Sequence, residues 1–175
     1  MSKGLIHVYC GEGKGKTTAA IGLAVRGAGS GMKVVLVQFL KGRMVSELGT
    51  LAQIPNITVI RNKKDYGFYN TMSLQDKKEI TILHNENLNR ALQMVKEGRC
   101  DMLILDEVMA AYNYGLIDQD AVNDLVRNKK EELELVLTGR DPAPLFLEYA
   151  DYITEMKKIK HPYDQKIGAR KGIEY

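Results

Sequence analysis

Cysteine is scarce: the 175 residues hold two, Cys10 and Cys100. Two are too few for a disulfide framework, and no further cysteine is available to form a CxxC metal pair, so a reduced, cytoplasmic protein is the default. An excess of one charge is also missing. Twenty-five Lys and Arg stand against 22 Asp and Glu, a net charge of +3, too small to demand nucleic acid or a membrane surface as a partner. No apolar stretch approaches the roughly 20 residues of a membrane span. The first residues, MSKGLIHVYCGEGKGK, reach a glycine-rich loop without the apolar core of a signal peptide. His7, His84 and His161 are scattered, with no spacing that would assemble a metal site. No internal repeat, low-complexity tract or linker interrupts the chain.

What is present describes a globular α/β protein. Hydrophobic residues make up 45% and charged residues 27%, ordinary for that class, and the length suits one domain, residues 1–175, with a full core. Short β-branched runs alternate with amphipathic segments, which predicts a mostly parallel sheet of about six strands flanked by helices. The strands are expected at Leu5 to Tyr9, Val34 to Phe39, Ile57 to Ile60, Met102 to Leu105, Leu133 to Leu137 and Tyr152 to Met156. Helices are expected over Lys16 to Gly29, Val45 to Gln53, and from Ser73 to Gly98, where Ser73 and Asp76 resemble a capping box. Asp141 followed by Pro142 reads as the N-cap and first turn of a helix through Leu147. Met94, Met102 and Met109 sit at core-like positions, and Cys10 reads as a small buried thiol. The least patterned stretch, Arg61 to Met72, is a candidate substrate loop.

Between the first strand and the first helix lies Gly11-Glu12-Gly13-Lys14-Gly15-Lys16-Thr17-Thr18. In that context backbone N–H groups and a helix N-terminus face phosphate oxygens, Lys16 adds a point charge, and Thr17 supplies a hydroxyl to Mg2+. The eight residues therefore read as a P-loop that binds the phosphates of a nucleotide. One departure stands out. Where the usual spacing puts the first glycine, this chain has Cys10, so the loop is one residue shorter, and the ordinary transfer of a terminal phosphoryl group does not follow from the motif.

A second apolar strand runs straight into Asp106 and Glu107, two carboxylates suited to hold Mg2+ or its waters. A third ends in Thr138, Gly139 and Arg140. Arg140 is either a solvated surface charge or a bidentate donor to phosphate. Ligands of open α/β sheets bind at the carboxyl ends of strands, so these three ends point to one crevice.

These residues resemble the ATP-dependent corrinoid adenosyltransferases that act on cob(I)alamin and cob(I)yrinic acid a,c-diamide. The resemblance rests on the loop at 11–18, Val37-Gln-Phe-Leu-Lys-Gly42, Leu105-Asp-Glu-Val108, Thr138-Gly-Arg140 and the tail segments Lys160-His-Pro-Tyr-Asp164 and Ala169-Arg-Lys-Gly-Ile-Glu-Tyr175. It implies a RecA-like P-loop fold, a homodimer, and transfer of the 5′-deoxyadenosyl group of ATP to reduced cobalt with release of triphosphate. It implies phosphates that run opposite to those of P-loop hydrolases, a tail of residues 160–175 that completes the site, and an electron-donating reductase as a partner. By motif position Glu107 matches a magnesium-associated acid with Asp106 beside it, and Phe68 matches an aromatic near the corrinoid. Three positions depart from the pattern: Asn70 stands where relatives can carry Trp, Lys166 where Gly is usual, and the N-terminal extension of longer members is absent.

Two other readings use the same residues. In a RecA-like ATPase, Glu107 would activate water and Arg140 would sense the terminal phosphate, with hydrolysis coupled to a partner. In a nucleotide-dependent binding module, ATP would order the loop Arg61 to Met72 without turnover. A nucleotide kinase fits less well, since no arginine-rich lid segment lies between the phosphate loop and the acidic pair.

Overall fold

The computed structural model describes residues 3–42 and 45–175. Among them, six strands form one sheet: β1 (Ile6–Cys10), β2 (Val34–Gln38), β3 (Ile57–Arg61), β4 (Met102–Asp106), β5 (Glu134–Thr138) and β6 (Tyr152–Glu155). Their order is β3-β2-β4-β5-β1-β6, and every pairing is parallel. β2 and β4 are buried at every position, as expected of strands covered on both faces. The helices are α1 (Lys16–Gly29), α2 (Glu47–Leu51), α3 (Leu74–Lys96), α4 (Val108–Asn113), α5 (Gln119–Asn128) and α6 (Pro144–Tyr149).

Two apolar layers sandwich the sheet. On one face Val8, Val37, Leu103, Leu105 and Leu137 pack with Leu88 of α3 and Val122 of α5. On the other, Leu36, Ile104 and Val136 pack with Ala20, Ala24 and Ala28 of α1. The small residues of α1 let it lie close over β4, which brings its first turn beside the end of that strand. Met94, Met102 and Met109 are all buried, in the packing role their positions predict.

The strands match their expected positions to within a residue or two, and α3 opens on the expected capping box. Ser73 Oγ accepts from the Asp76 N–H, and Asp76 answers to the Ser73 N–H. The last helix is displaced. Asp141 takes a left-handed φ of 51° and its carbonyl accepts from Asn113 Nδ2, so the chain makes a corner there. The helix begins at Pro144, with Ala143 as N-cap. Helices α4 and α5 carry no counterpart in the expected set. α5 is capped by Asp118, whose side chain accepts from Ala121 N–H at 3.0 Å, and buries Val122, Leu125 and Val126 at helical spacing.

β1 also runs one residue further than expected and includes Cys10, which pairs with Glu155 of β6. Extension of the strand through this position accounts for a loop that begins at Gly11. The backbone after β6 then folds against the loop. Gly13 N–H donates to the Met156 carbonyl, and a Cβ on Gly13 would lie 2.5 Å from that oxygen. Gly13→Ala is therefore expected to cost about 1–3 kcal/mol in chemical denaturation, the usual penalty of forcing atoms into a filled space.

Candidate functional site

The carboxyl ends of β1, β2, β4 and β5 converge on one carboxylate. Asp106 is fully buried and takes four side-chain donors. Thr17 and Thr138 hydroxyls donate to Oδ1 at 2.9 and 2.7 Å. Gln38 Nε2 and Lys41 Nζ donate to Oδ2 at 3.3 and 2.6 Å. The sheet register explains the arrangement: Gln38 pairs with Asp106 across β2 and β4, and Leu105 pairs with Leu137, so that Thr138 follows alongside. A buried carboxylate without partners would be prohibitively costly, and four donors remove that cost.

The glycine loop is shaped for an anion. Gly15 caps α1 with φ 119°, a region that side chains rarely enter. Its backbone opens the helix toward the cleft. Lys16 is buried at the first helical position, and its ammonium folds into the loop, donating to the Gly11 and Gly13 carbonyls at 2.6 and 2.9 Å. Burial lowers its pKa, opposed by the nearby Glu107 carboxylate. Glu12, Lys14 and Thr18 lie exposed along the loop.

Glu107 occupies a left-handed conformation with φ 60°, its N–H donating to Thr138 Oγ1 at 3.0 Å. A non-glycine residue there stores strain of order 1 kcal/mol or more, typical of functional positions. Burial raises the Glu107 pKa, Asp106 raises it further, and Lys41, Lys16 and Arg140 oppose the shift. Arg140 sits at the rim, largely exposed, with Nη1 2.9 Å from Glu12. It is both a surface charge and a neighbour of the phosphate loop.

Two cavities open from this centre. One of about 430 Å³ is bounded by Thr17, Thr18 and Ile21 of α1, by Lys41, and by Glu174 and Tyr175 of the tail. The second, about 360 Å³, is lined by Leu40, Lys41, Asp65, Phe68, Glu174 and Tyr175. They share Lys41, Val45, Glu174 and Tyr175 as a common wall. Phe68 is 78% exposed, and its surroundings explain why. The next residue, Tyr69, stacks on Tyr114 at 4.0 Å with the Lys77 ammonium over its ring, which anchors the loop and leaves Phe68 facing out. Asn70 is exposed beside it. The tail is tied to the first cavity by Ser46 Oγ, which donates to the Tyr175 carbonyl oxygen at 3.0 Å. Lys166 adopts φ 59°, the left-handed conformation that would favour the glycine usual at that place.

The model of the ATP:corrinoid adenosyltransferase BtuR/CobO/CobP family matches residues 2–175. The chain belongs to this family. Corrinoid adenosyltransferases from a Sinorhizobium species, Escherichia coli strain K12 and Pseudomonas aeruginosa are 35%, 33% and 32% identical to it. Each alignment spans 99% of this chain, and 81%, 86% and 84% of the respective relative. A KaiC-like protein of Pyrococcus horikoshii superposes with a TM-score of 0.58 at 15% identity, covering 91% of this chain and 75% of that one. The EssC ATPases 2 and 3 of Geobacillus thermodenitrificans give 0.53 at 14%, covering 97% and 35%. The fold is thus RecA-like, and the adenosyltransferase is a transferase that uses ATP and a corrinoid.

The structure brings Gly11 to Thr18, Asp106, Glu107 and Arg140 to one cleft and sets Phe68 on the adjoining cavity. It adds three residues that had no role in the sequence reading: Lys41, Gln38 and Thr138. Their signal was a polar residue within or just beyond an otherwise apolar strand, as in Val37-Gln-Phe-Leu-Lys. Among the described residues no three His, Cys, Asp or Glu side chains gather as a metal cluster. A divalent cation nevertheless fits between the Thr17 hydroxyl and Asp106, because the Lys41 ammonium already holds that place, 2.9 and 2.6 Å from the two groups.

The raised pKa of Glu107 has a consequence for stability. Its ionised form is disfavoured in the folded protein, so the penalty is absent below the ordinary glutamate pKa of about 4.3 and complete above the raised value. Glu107→Gln is expected to raise the unfolding midpoint of the ligand-free protein at pH 8 and to leave it unchanged near pH 4, measured by thermal denaturation across that range.

Proposed function

We propose that this adenosyltransferase joins the 5′ carbon of ATP to the cobalt(I) of cob(I)alamin or cob(I)yrinic acid a,c-diamide, with triphosphate as the leaving group. The observation that carries the reading is the pair of cavities with a common wall: one bordered by the phosphate loop, the other by an exposed aromatic ring. A nucleotide with its phosphates at Gly11 to Thr18 and its ribose toward Lys41 and Tyr175 would present C5′ at the mouth of the Phe68 cavity.

The bond changes are few. The cobalt(I) electron pair forms a Co–C5′ bond, the C5′–O bond breaks, its electrons stay on the departing triphosphate, and cobalt is formally oxidised by two electrons. Cobalt(I) is itself a strong nucleophile, so no general base is required; the protein aligns two substrates, excludes water and stabilises the departing charge. Lys16, Thr17, the loop amides and Arg140 are suited to the triphosphate. Mg2+, when bound at Thr17 and Asp106 with Glu107 nearby, supplies neutralising charge. Phe68 is suited to one face of the corrinoid, and the tail over residues 160–175 closes the cleft, all within a single domain of residues 1–175.

Further features fit this reading. Supply of cobalt(I) calls for an electron-donating reductase. A homodimer is supported by β6, an edge strand whose four residues are all exposed, Tyr152 and Ile153 among them. Two free thiols, both buried, suit the cytoplasm. No helix among the described residues is long and apolar enough to cross a membrane.

The test is anaerobic: protein, ATP, magnesium and chemically reduced cob(I)alamin are mixed, the corrinoid spectrum is followed and the phosphate product identified. Formation of a light-sensitive adenosylcorrinoid with triphosphate is expected, whereas an unchanged spectrum with orthophosphate would move the assignment to a RecA-like ATPase. In the same assay Lys16→Ala is expected to lower turnover on the order of 10² or more, the usual loss on removing one preorganised donor to a developing anion. Near-normal turnover in that variant would contradict the role given to Lys16.

A further inference from the structure

Lys41 is held in place more thoroughly than a surface lysine needs to be. Leu40, before it, takes a left-handed φ of 56°, which a bulky apolar residue adopts only under constraint. Two side chains impose it. The Leu40 N–H donates to Nε2 of the buried His84 at 3.2 Å, while the other ring nitrogen, Nδ1, donates to the Leu116 carbonyl at 3.1 Å. Burial pushes the His84 pKa down to about 4, so the ring stays neutral and Nε2 remains an acceptor through the physiological range. The Lys41 carbonyl accepts from Arg61 Nη2 at 2.8 Å. Gly42 then passes so close to the backbone at Lys64 and Asp65 that a Cβ would lie 2.1 Å from the Lys64 carbonyl oxygen.

The backbone at Lys41 is therefore fixed, and the side chain is the part free to choose a partner. It reaches inward to the Thr17 hydroxyl and Asp106. Its stem borders both cavities, and the side chain is 24% exposed while that of Asp106 is completely buried. One end of the ion pair can thus leave toward the cleft, and the other cannot move.

We propose that Lys41 is a resident counter-ion of the phosphate site, which holds the cation position between Thr17 and Asp106 in the empty enzyme and turns onto the polyphosphate when the nucleotide arrives with its metal. Two cations cannot share the space between one hydroxyl and one carboxylate. Free divalent metal binds weakly because displacement would cost the ammonium its hydrogen-bonded carboxylate and expose Asp106 during exchange. ATP removes both obstacles at once: its phosphates give the ammonium a new acceptor, and its metal takes over Asp106. Lys41 then contributes charge to the leaving group beside Lys16, from the opposite side of the cleft. The inference rests on the reading of Thr17 and Asp106 as the metal-binding pair, but it requires neither a corrinoid nor turnover.

The test uses Mn2+ as a paramagnetic probe, titrated into nucleotide-free protein and followed by the electron paramagnetic resonance signal of the unbound ion. Lys41→Met is expected to bind Mn2+ at least tenfold more tightly than the unaltered protein. Lys41→Arg, which keeps the charge, should bind it as weakly as the unaltered protein does. In a second titration, with Mn2+ held at a saturating concentration so that the metal replaces the ammonium at Asp106, Lys41→Met should bind ATP at least tenfold more weakly. Circular dichroism checks that the variants are folded, and Lys41→Gln takes the place of Lys41→Met if the latter is not. A folded neutral variant that binds Mn2+ no more tightly than the unaltered protein would overturn the proposal and leave the contact a structural ion pair. Failure to form an adenosylcorrinoid would instead count against the transfer reaction, so the two failures are distinguishable.

Discussion

The site depends on a carboxylate that has no access to water. Asp106 ends a strand buried at all five positions, and its charge is tolerable only because four donors from three other segments of chain meet it. The donors come from three pieces: Thr17 from the first turn of α1, Gln38 and Lys41 from the end of β2 and its following turn, Thr138 from the end of β5. Satisfying one buried charge thus registers the phosphate loop, two strand ends and the Lys41 turn against one another. A shift of any of them would leave part of that carboxylate unpaired, a far larger penalty than the loss of an ordinary surface contact.

The same constraint separates binding from chemistry. The phosphate loop, Lys16 and the Asp106 hub are rigid elements suited to an anion. The groups that differ from an ordinary hydrolytic site lie outside the hub: a shorter loop that starts after Cys10, an exposed Phe68, and a tail whose last residues wall the cavity beside Thr17 and Thr18. A site that must align C5′ with a bulky second substrate needs an open cavity beside the ribose. The cavity at Phe68, held open by Tyr69 between Tyr114 and Lys77, meets that need.

Much of this was legible in the sequence, because strands and phosphate loops depend on local patterns. Runs such as Met102 to Leu105 admit little besides a buried strand, and Gly11 to Thr18 imposes its own geometry. Helix α6 was misplaced because Asp141-Pro142 satisfies the local rule for a helix start, whereas the Asn113 side chain holds the Asp141 carbonyl in a corner. Lys41, Gln38 and Thr138 passed without a role for a different reason. Their importance comes from sheet register, which sets Gln38 and Thr138 on either side of Asp106, and register is a property of strands distant in sequence. The tail was legible only through resemblance, since a basic, aromatic segment without periodicity carries no mechanism until its end is seen against Ser46 and the cavity.

The central claim is that the phosphate loop grips a leaving group, so that the bond broken is the one between C5′ and its oxygen. ATP carrying oxygen-18 in the bridge between C5′ and the α phosphorus tests this most directly, with the phosphate product isolated after reaction with a reduced corrinoid and weighed by mass spectrometry. The account predicts the label in triphosphate. Label retained in a nucleotide product would mean cleavage between phosphorus and oxygen, and would contradict it.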